Sequence, residues 1–255
     1  MTTTEPSGAS DAGTPTPLLS VRDLDVRYGA ARALSGISFD VRAGEVITVL
    51  GANGAGKSSL ARALSGLIPS VGGTFAIDGH DLTGRAPHVI RKAGIIHLPE
   101  GRGVFPALSV IDNLRMAVSE IEGRPQRRDA IERACELFPV LGQRRRQRAG
   151  LLSGGEQQML SLARALATSP KLIIADEMSL GLAPRMVDVV FDSLAKAQQA
   201  GVSVLMIEQF VHRALGFADS CLILERGTQA WSGPANAAAG EVAARYLGSD
   251  SSEVA

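Results

Sequence analysis

Hydrophobic positions along the chain follow three patterns: short apolar runs, alternation with polar side chains, and helical spacing. Residues 45–50, 171–176 and 202–207 are each short, mostly apolar and rich in aliphatic side chains, which predicts strands buried on both faces. Residues 18–28 and 33–41 instead alternate apolar and polar side chains, which predicts antiparallel strands. Helical patterns separate the later runs. Strands that alternate with helices predict an α/β fold with a parallel core.

A helical segment interrupts this alternation in the middle of the chain. Between about 109 and 149, apolar side chains recur at helical spacing, beginning with Val110 and Leu114, among many charged residues. We therefore predict an inserted α-helical subdomain at about 104–153. No internal repeat is present, so the pattern indicates one cassette rather than a tandem pair.

Length and composition bound the possibilities further. The chain has 255 residues, of which 45% are hydrophobic, and we predict one large domain at 18–248. Residues 1–17 are predicted to be a disordered tail and 249–255 a polar one. The net charge of zero gives no indication of a nucleic-acid partner. Cys135 and Cys221 have no metal-site or redox spacing, and no stretch approaches the roughly 18 apolar residues of a membrane span.

The first motif that indicates chemistry follows the apolar run at 45–50 and precedes a predicted helix. It reads Gly51-Ala52-Asn53-Gly54-Ala55-Gly56-Lys57-Ser58 and matches G-x-x-x-x-G-K-[ST]. The glycines let backbone N–H groups surround the phosphates of a nucleotide, and the helix N-terminus adds partial positive charge. Lys57 supplies a full positive charge and the Ser58 hydroxyl can bind Mg²⁺. We predict that these eight residues and Ser59 bind the nucleotide; a chance glycine-rich turn is the alternative.

A second motif, Leu152-Ser153-Gly154-Gly155-Glu156, places Ser153 96 residues after Lys57. Ser153 and Glu156 have the spacing of a capping box, which predicts a helix over 157–167 and could by itself explain both residues. Yet two glycines in a first helical turn cost about 1 kcal/mol each relative to alanine. We therefore expect the Ser153 hydroxyl and the N–H groups of Gly154 and Gly155 to bind a γ-phosphate at close approach. The segment resembles the LSGGQ signature of ATP-binding-cassette (ABC) ATPases.

A third motif consists of Asp176 and Glu177, two carboxylates at the end of an apolar run. Carboxylates in buried surroundings require a partner or a metal. By resemblance to the ABC ATPases, Asp176 is expected to hold Mg²⁺ through water and Glu177 to act as the general base. The three motifs in this order imply ATP as the nucleotide. They also imply a P-loop ABC ATPase core with an antiparallel β subdomain and an inserted α-helical subdomain.

The same resemblance gives roles to three further residues, each with a plainer alternative. Tyr28 is expected to stack on adenine, unless it is an ordinary strand tyrosine. Glu100 occupies the position of the family's Q-loop glutamine and is expected to contact Mg²⁺, unless it is a surface carboxylate. Gln209 replaces the family's switch histidine; its amide can hydrogen-bond the γ-phosphate but cannot titrate near neutral pH. The remaining histidines are predicted to be structural or on the surface: His80, His88, His97 and His212.

Where the chain departs from the common ABC ATPase pattern, its segments resemble those of the smaller ATP-binding subunit of high-affinity branched-chain amino acid importers. The segments that carry this resemblance are 98–102, 104–106, 153–160, 179–184 and 207–209. It implies catalysis by Glu177, Lys57 and Gln209, and ATP-driven dimer closure coupled to uptake. The implied partners are a second, different ABC ATPase (or a second copy), two integral-membrane permeases and, indirectly, an extracytoplasmic binding protein. The implied location is the cytoplasmic face of the membrane. A urea or amide importer and a soluble ABC ATPase remain alternatives.

Overall fold

The structure, a computed structural model, describes residues 16–101 and 103–247. The predicted tails at 1–17 and 249–255 lie outside the described residues, except for Thr16 and Pro17. None of the helices in the described part of the chain has the length and apolar content that a bilayer crossing requires.

One sheet is antiparallel and has four strands. Its members are β1 (Leu19–Tyr28), β2 (Ala31–Val41), β4 (Ser70–Ile77) and β5 (His80–Asp81). They lie in the order β2-β1-β4-β5. Buried Leu19 and Val21 alternate along β1 with the more exposed Ser20 and Arg22. The antiparallel pairing predicted for the first two strands is thus confirmed.

The second sheet has six strands and is parallel except at one edge. Its members are β3 (Val46–Leu50), β6 (Ile95–Leu98), β7 (Leu172–Asp176), β8 (Ser203–Ile207), β9 (Ser220–Glu225) and β10 (Thr228–Pro234). The order is β10-β9-β3-β8-β7-β6, and β10 pairs antiparallel with β9. Ile173 and Ile174 of β7 belong to different hydrophobic clusters, which explains why this strand is apolar on both faces.

Nine α-helices are found in the described residues. They are α1 (Lys57–Leu64), α2 (Pro87–Lys92), α3 (Val110–Ala117), α4 (Arg124–Leu137), α5 (Pro139–Gln143), α6 (Gly154–Leu166), α7 (Pro184–Gln199), α8 (Val211–Phe217) and α9 (Ala235–Leu247). One cluster packs α1 and the antiparallel sheet against the six-stranded sheet, and the other packs α3, α4, α6 and α7 against it. The helical pattern predicted for 109–149 therefore corresponds to α3, α4 and α5.

The topology of the six-stranded sheet determines where the candidate chemistry collects. Strands β3, β8 and β7 are parallel neighbours, so their carboxyl ends meet at one edge. The segments that leave this edge begin at Gly51, Glu177 and Glu208. Three stretches that are far apart in sequence are thereby brought to one place.

Candidate functional site

The glycine-rich loop connects β3 to the first turn of α1. Gly51, Gly54 and Gly56 all have positive φ, of 154°, 81° and 106° respectively. A Cβ on Gly56 would lie 2.6 Å from Leu34 Cδ2 and 2.9 Å from the Ala33 carbonyl oxygen. The loop conformation therefore requires glycine at position 56 for both backbone and packing reasons. The result is a helix N-terminus preceded by a tightly wound backbone, which suits an anion.

Lys57 is the first residue of α1, and its side chain lies back over the loop. Its Nζ donates hydrogen bonds to the carbonyl oxygens of Gly51, at 2.8 Å, and Ala52, at 3.1 Å. Burial lowers the pKa of the Lys57 amine, while the charges of Glu177 and Asp176 act in the opposite direction. The cation is thus held at the loop between the glycine-rich backbone and two carboxylates.

Ser58 and Asp176 offer two oxygen ligands side by side. Ser58 Oγ donates to Asp176 Oδ1 across 3.3 Å, and Asp176 is only 3% exposed at the end of β7. Mg²⁺ prefers oxygen ligands and commonly uses one or two carboxylates while keeping several waters. The donor set therefore fits Mg²⁺. No cluster of three or more His, Cys, Asp or Glu side chains suited to a metal occurs among the described residues.

Glu177 stands directly after β7 in an unusual backbone conformation. Its φ is +49°, a region that non-glycine residues seldom adopt and that typically costs about 1 kcal/mol or more. Its N–H donates to the Ile207 carbonyl oxygen at 2.9 Å, which ties the backbone at Glu177 to the end of β8. Its carboxylate accepts a hydrogen bond from Gln209 Nε2 at 3.0 Å. The side chain is thereby directed by two contacts with the neighbouring strand end.

Glu208 was not predicted to have a role. It is 4% exposed, and its carboxylate accepts hydrogen bonds from the Ser179 N–H, at 3.2 Å, and the Ser179 hydroxyl. Desolvation raises its pKa, while the bonds from Ser179 act in the opposite direction. The available sequence signal was the same as at Glu177: a carboxylate directly after a mostly apolar strand. Glu208 ties the segment that follows Glu177 to the end of β8.

A cavity of about 690 Å³ is lined by many of these groups, although Asp176 and Glu208 are not part of its lining. The predicted site residues that line it are Asn53, Gly54, Gly56, Lys57, Ser58, Ser59, Glu100, Glu177 and Gln209. The lining also includes residues that the sequence did not reveal: Arg32, Ala33, Leu180, Arg226 and Gly227. The Gly227 N–H donates to the Ala55 carbonyl oxygen at 3.0 Å, so the β9–β10 turn supports the loop. A glycine in a short turn was the only sequence signal for this contact.

Tyr28 and the second motif lie apart from the lining of this cavity. Tyr28 ends β1 with 44% of its surface exposed, opposite Ala31 of β2. Ser153 is exposed and caps α6 through the predicted capping box, which is present in full. The helix begins at Gly154, earlier than the predicted 157, because a capping serine places both glycines in its first turn.

The start of α6 has its own close contacts. A Cβ on Gly155 would lie 2.7 Å from Cγ and 3.0 Å from Cβ of Met186, so close packing against α7 accounts for this glycine within the chain. Glu156 Oε2 accepts from the Ser153 N–H at 2.8 Å, and Arg144 Nη1 lies 3.3 Å from Glu156 Oε1. Neither Ser153 nor Gly154 contributes to the lining of the cavity that contains Lys57.

Comparisons with known proteins identify the family to which this chain is similar. Residues 34–179 match the family model described as ABC transporter. The chain is 40% identical to the high-affinity branched-chain amino acid transport ATP-binding protein BraG of Pseudomonas aeruginosa, over 82% of this chain and 90% of the relative. It is 33% identical to the probable branched-chain amino acid transport ATP-binding protein LivF of Archaeoglobus fulgidus, over 86% and 93%.

A solved structure supports the fold in the same way. This is the structure of cbiO1 from Clostridium perfringens, part of an ABC transporter complex. The match covers 92% of this chain and 97% of cbiO1, with a TM-score of 0.79 and 22% sequence identity. The P-loop ABC ATPase fold expected from the motifs is therefore confirmed. The chain belongs to the ABC transporter family and is one of its ATP-hydrolysing nucleotide-binding subunits.

Proposed function

We propose that this subunit drives the import of branched-chain amino acids. The observation that carries the proposal is the 40% identity to the Pseudomonas aeruginosa protein along nearly the full length of both chains. The Archaeoglobus fulgidus relative is likewise named as a probable branched-chain amino acid transport ATP-binding protein. The segments that resemble the smaller ATP-binding subunit of such importers support it too, and two of them contribute Glu100 and Gln209 to the cavity lining.

In this proposal the loop from Gly51 to Ser59 binds the phosphates of ATP. Its backbone N–H groups face the anion, and Lys57 exchanges its bonds to the loop carbonyls for the β- and γ-phosphates. Ser58 and Asp176 hold Mg²⁺, with Glu100 at the cavity wall as an additional oxygen donor. When bound, Mg²⁺ neutralises charge on the phosphate oxygens. Tyr28 stacks on the adenine ring.

Hydrolysis requires an oriented water in line with the γ-phosphate. The oxygen of that water attacks the γ-phosphorus while Glu177 accepts a proton from the water. The bond between phosphorus and the β–γ bridging oxygen breaks, and that oxygen leaves with ADP. Gln209 holds the Glu177 carboxylate through its amide. Since an amide does not titrate, this contact persists across the neutral pH range.

A second subunit completes the site. ATP-binding subunits of this family dimerise and act with membrane permeases. Ser153, Gly154 and Gly155 do not line the cavity of their own chain, so we propose that they bind the γ-phosphate held by the partner. The favoured partner is a different ABC ATPase, at the cytoplasmic face of the membrane beneath two permeases. An extracytoplasmic binding protein delivers the substrate.

Capture of the intact assembly tests this function. A tagged Glu177→Gln chain is isolated from detergent-solubilised membranes with MgATP, and its partners are identified by mass spectrometry. Recovery of two polytopic permeases and a second ABC ATPase is expected, and an untagged chain taken through the same purification is the control. Uptake of labelled leucine that depends on the wild-type chain is expected in the same cells. Recovery of soluble partners alone, or uptake of urea instead of leucine, would refute the proposal.

A further inference from the structure

His97 is a buried histidine that none of the chemistry above uses. It lies in β6 with 8% of its side chain exposed, and its Nε2 is buried without a hydrogen-bond partner. An unpaired buried polar atom is unfavourable, so its retention calls for an explanation. The sequence alone predicted only a structural role, because His97 has no metal-ligand spacing.

The register of the sheet directs His97 towards Asp176. His97 is paired with Ile174 in the parallel strand β7. Asp176 lies two residues beyond Ile174, and residues two apart on a strand share one face of the sheet. His97 and Asp176 are therefore diagonal neighbours on the same face, with Nε2 3.9 Å from Asp176 Oδ2. A shift of about 1 Å would bring the two atoms to hydrogen-bond distance.

The two oxygens of Asp176 thus have different neighbours. Ser58 Oγ donates to Oδ1, on the side of the phosphate loop, while His97 faces Oδ2. His97 also borders a groove of about 460 Å³ that extends along Leu67, Ile90 and Arg164, so its ring has room to adjust. A donor at Oδ2 would fix the carboxylate plane and leave Oδ1 and Ser58 directed at the metal.

We propose that His97 is a positioning residue for the metal-binding carboxylate of Asp176, donating from Nε2 to Oδ2 when the cation is bound. The inference rests on the proposed Mg²⁺ role of Asp176. Hydrogen bonds to ligating carboxylates typically change metal affinity by ~10-fold or more when they are removed. His97 therefore affects the metal and leaves the affinity for metal-free nucleotide unchanged.

Metal binding rather than turnover tests the proposal. Binding of Mn²⁺ in the presence of ADP is measured by electron paramagnetic resonance for the wild type, His97→Phe and His97→Gln. Phenylalanine keeps the ring without a donor, whereas the glutamine amide can place a donor near the position of Nε2. ADP affinity in EDTA and the melting temperature are measured on the same samples. His88→Phe, which changes an exposed histidine in α2, is the matched control.

We expect His97→Phe to weaken Mn²⁺ binding ~10-fold with metal-free ADP affinity unchanged, and His97→Gln to recover most of the loss. Wild-type metal affinity in His97→Phe would overturn the proposal. So would equal losses in both variants, which would indicate packing, or a parallel loss of metal-free ADP binding. Absence of Mn²⁺ binding by the wild type would refute the metal site at Asp176 itself, and with it the role of His97.

Discussion

Gln209 Nε2 donates a hydrogen bond to Oε2 of Glu177 across 3.0 Å, although the two residues are 32 positions apart in sequence. Each directly follows or lies close to the end of a parallel strand, and β7 and β8 are adjacent. The contact therefore follows from sheet order. It places a non-titrating amide on the carboxylate that we assign as the general base.

Replacing Gln209 with alanine should free the Glu177 carboxylate to turn away from the attacking water. We expect kcat for ATP hydrolysis to fall by about 10²-fold, as a misplaced catalytic group typically causes, with KM nearly unchanged. Steady-state ATPase kinetics measure both constants. Gln199→Ala, an exposed change at the end of α7, should behave as the wild type. An unaltered kcat in Gln209→Ala would show that the contact has no part in turnover.

Glu208 should make stability depend on pH in a defined direction. Burial raises its pKa above the ordinary value of 4.5, so the folded state binds this proton more tightly than the unfolded state. As pH rises from 4.5 through the raised pKa, the unfolded state loses the proton first, and the contribution of Glu208 to stability falls. The free energy of unfolding of the wild type relative to Glu208→Gln should therefore decrease over this window.

Urea denaturation of both proteins across that window measures the difference. Glu136→Gln removes an exposed carboxylate and should leave the pH profile of the wild type unchanged. A wild-type advantage that grows with pH would contradict the raised pKa, since it is the signature of a carboxylate with a lowered one.

Substitutions at two glycines of the loop distinguish the effect of backbone strain from that of a steric clash. Gly54 has φ of 81° with open space where a Cβ would lie, whereas a Cβ on Gly56 would meet the Ala33 carbonyl oxygen and Leu34. Alanine at either position should cost about 1–2 kcal/mol from the left-handed backbone. Gly56→Ala should lower the free energy of unfolding more than Gly54→Ala does, and it should also weaken ATP binding. Thermal unfolding and equilibrium ATP binding test this order; equal effects in both variants would contradict it.

Tyr28 is exposed and free to receive a base. If it stacks on adenine, Tyr28→Ala should weaken the free energy of ATP binding by about 1 kcal/mol or more. KM for ATP should then rise at least about fivefold, while kcat stays unchanged. Tyr28→Phe keeps the ring and should retain the wild-type KM. An unchanged KM in Tyr28→Ala would leave Tyr28 as an ordinary strand tyrosine.

Local chemistry explains which parts of this molecule could be predicted from sequence. The strand β7 was recognisable because both of its faces are buried, and the cap at Ser153 because Glu156 completes it within three residues. Contacts that depend on sheet order were not recognisable. Gln209 meets Glu177, and His97 faces Asp176, only because β8 and β6 flank β7. Likewise β10 was missed, because Gly233 and Pro234 weaken its strand pattern.

The most direct test of the account compares Glu177→Gln with the wild type in ATP binding and in single-turnover hydrolysis. The variant keeps the shape of the side chain but cannot accept the proton of the attacking water. ATP affinity should match the wild type, and hydrolysis should slow by at least about 10²-fold. Glu136→Gln should hydrolyse ATP at the wild-type rate. Hydrolysis by Glu177→Gln at the wild-type rate would contradict the assignment of Glu177 as the general base.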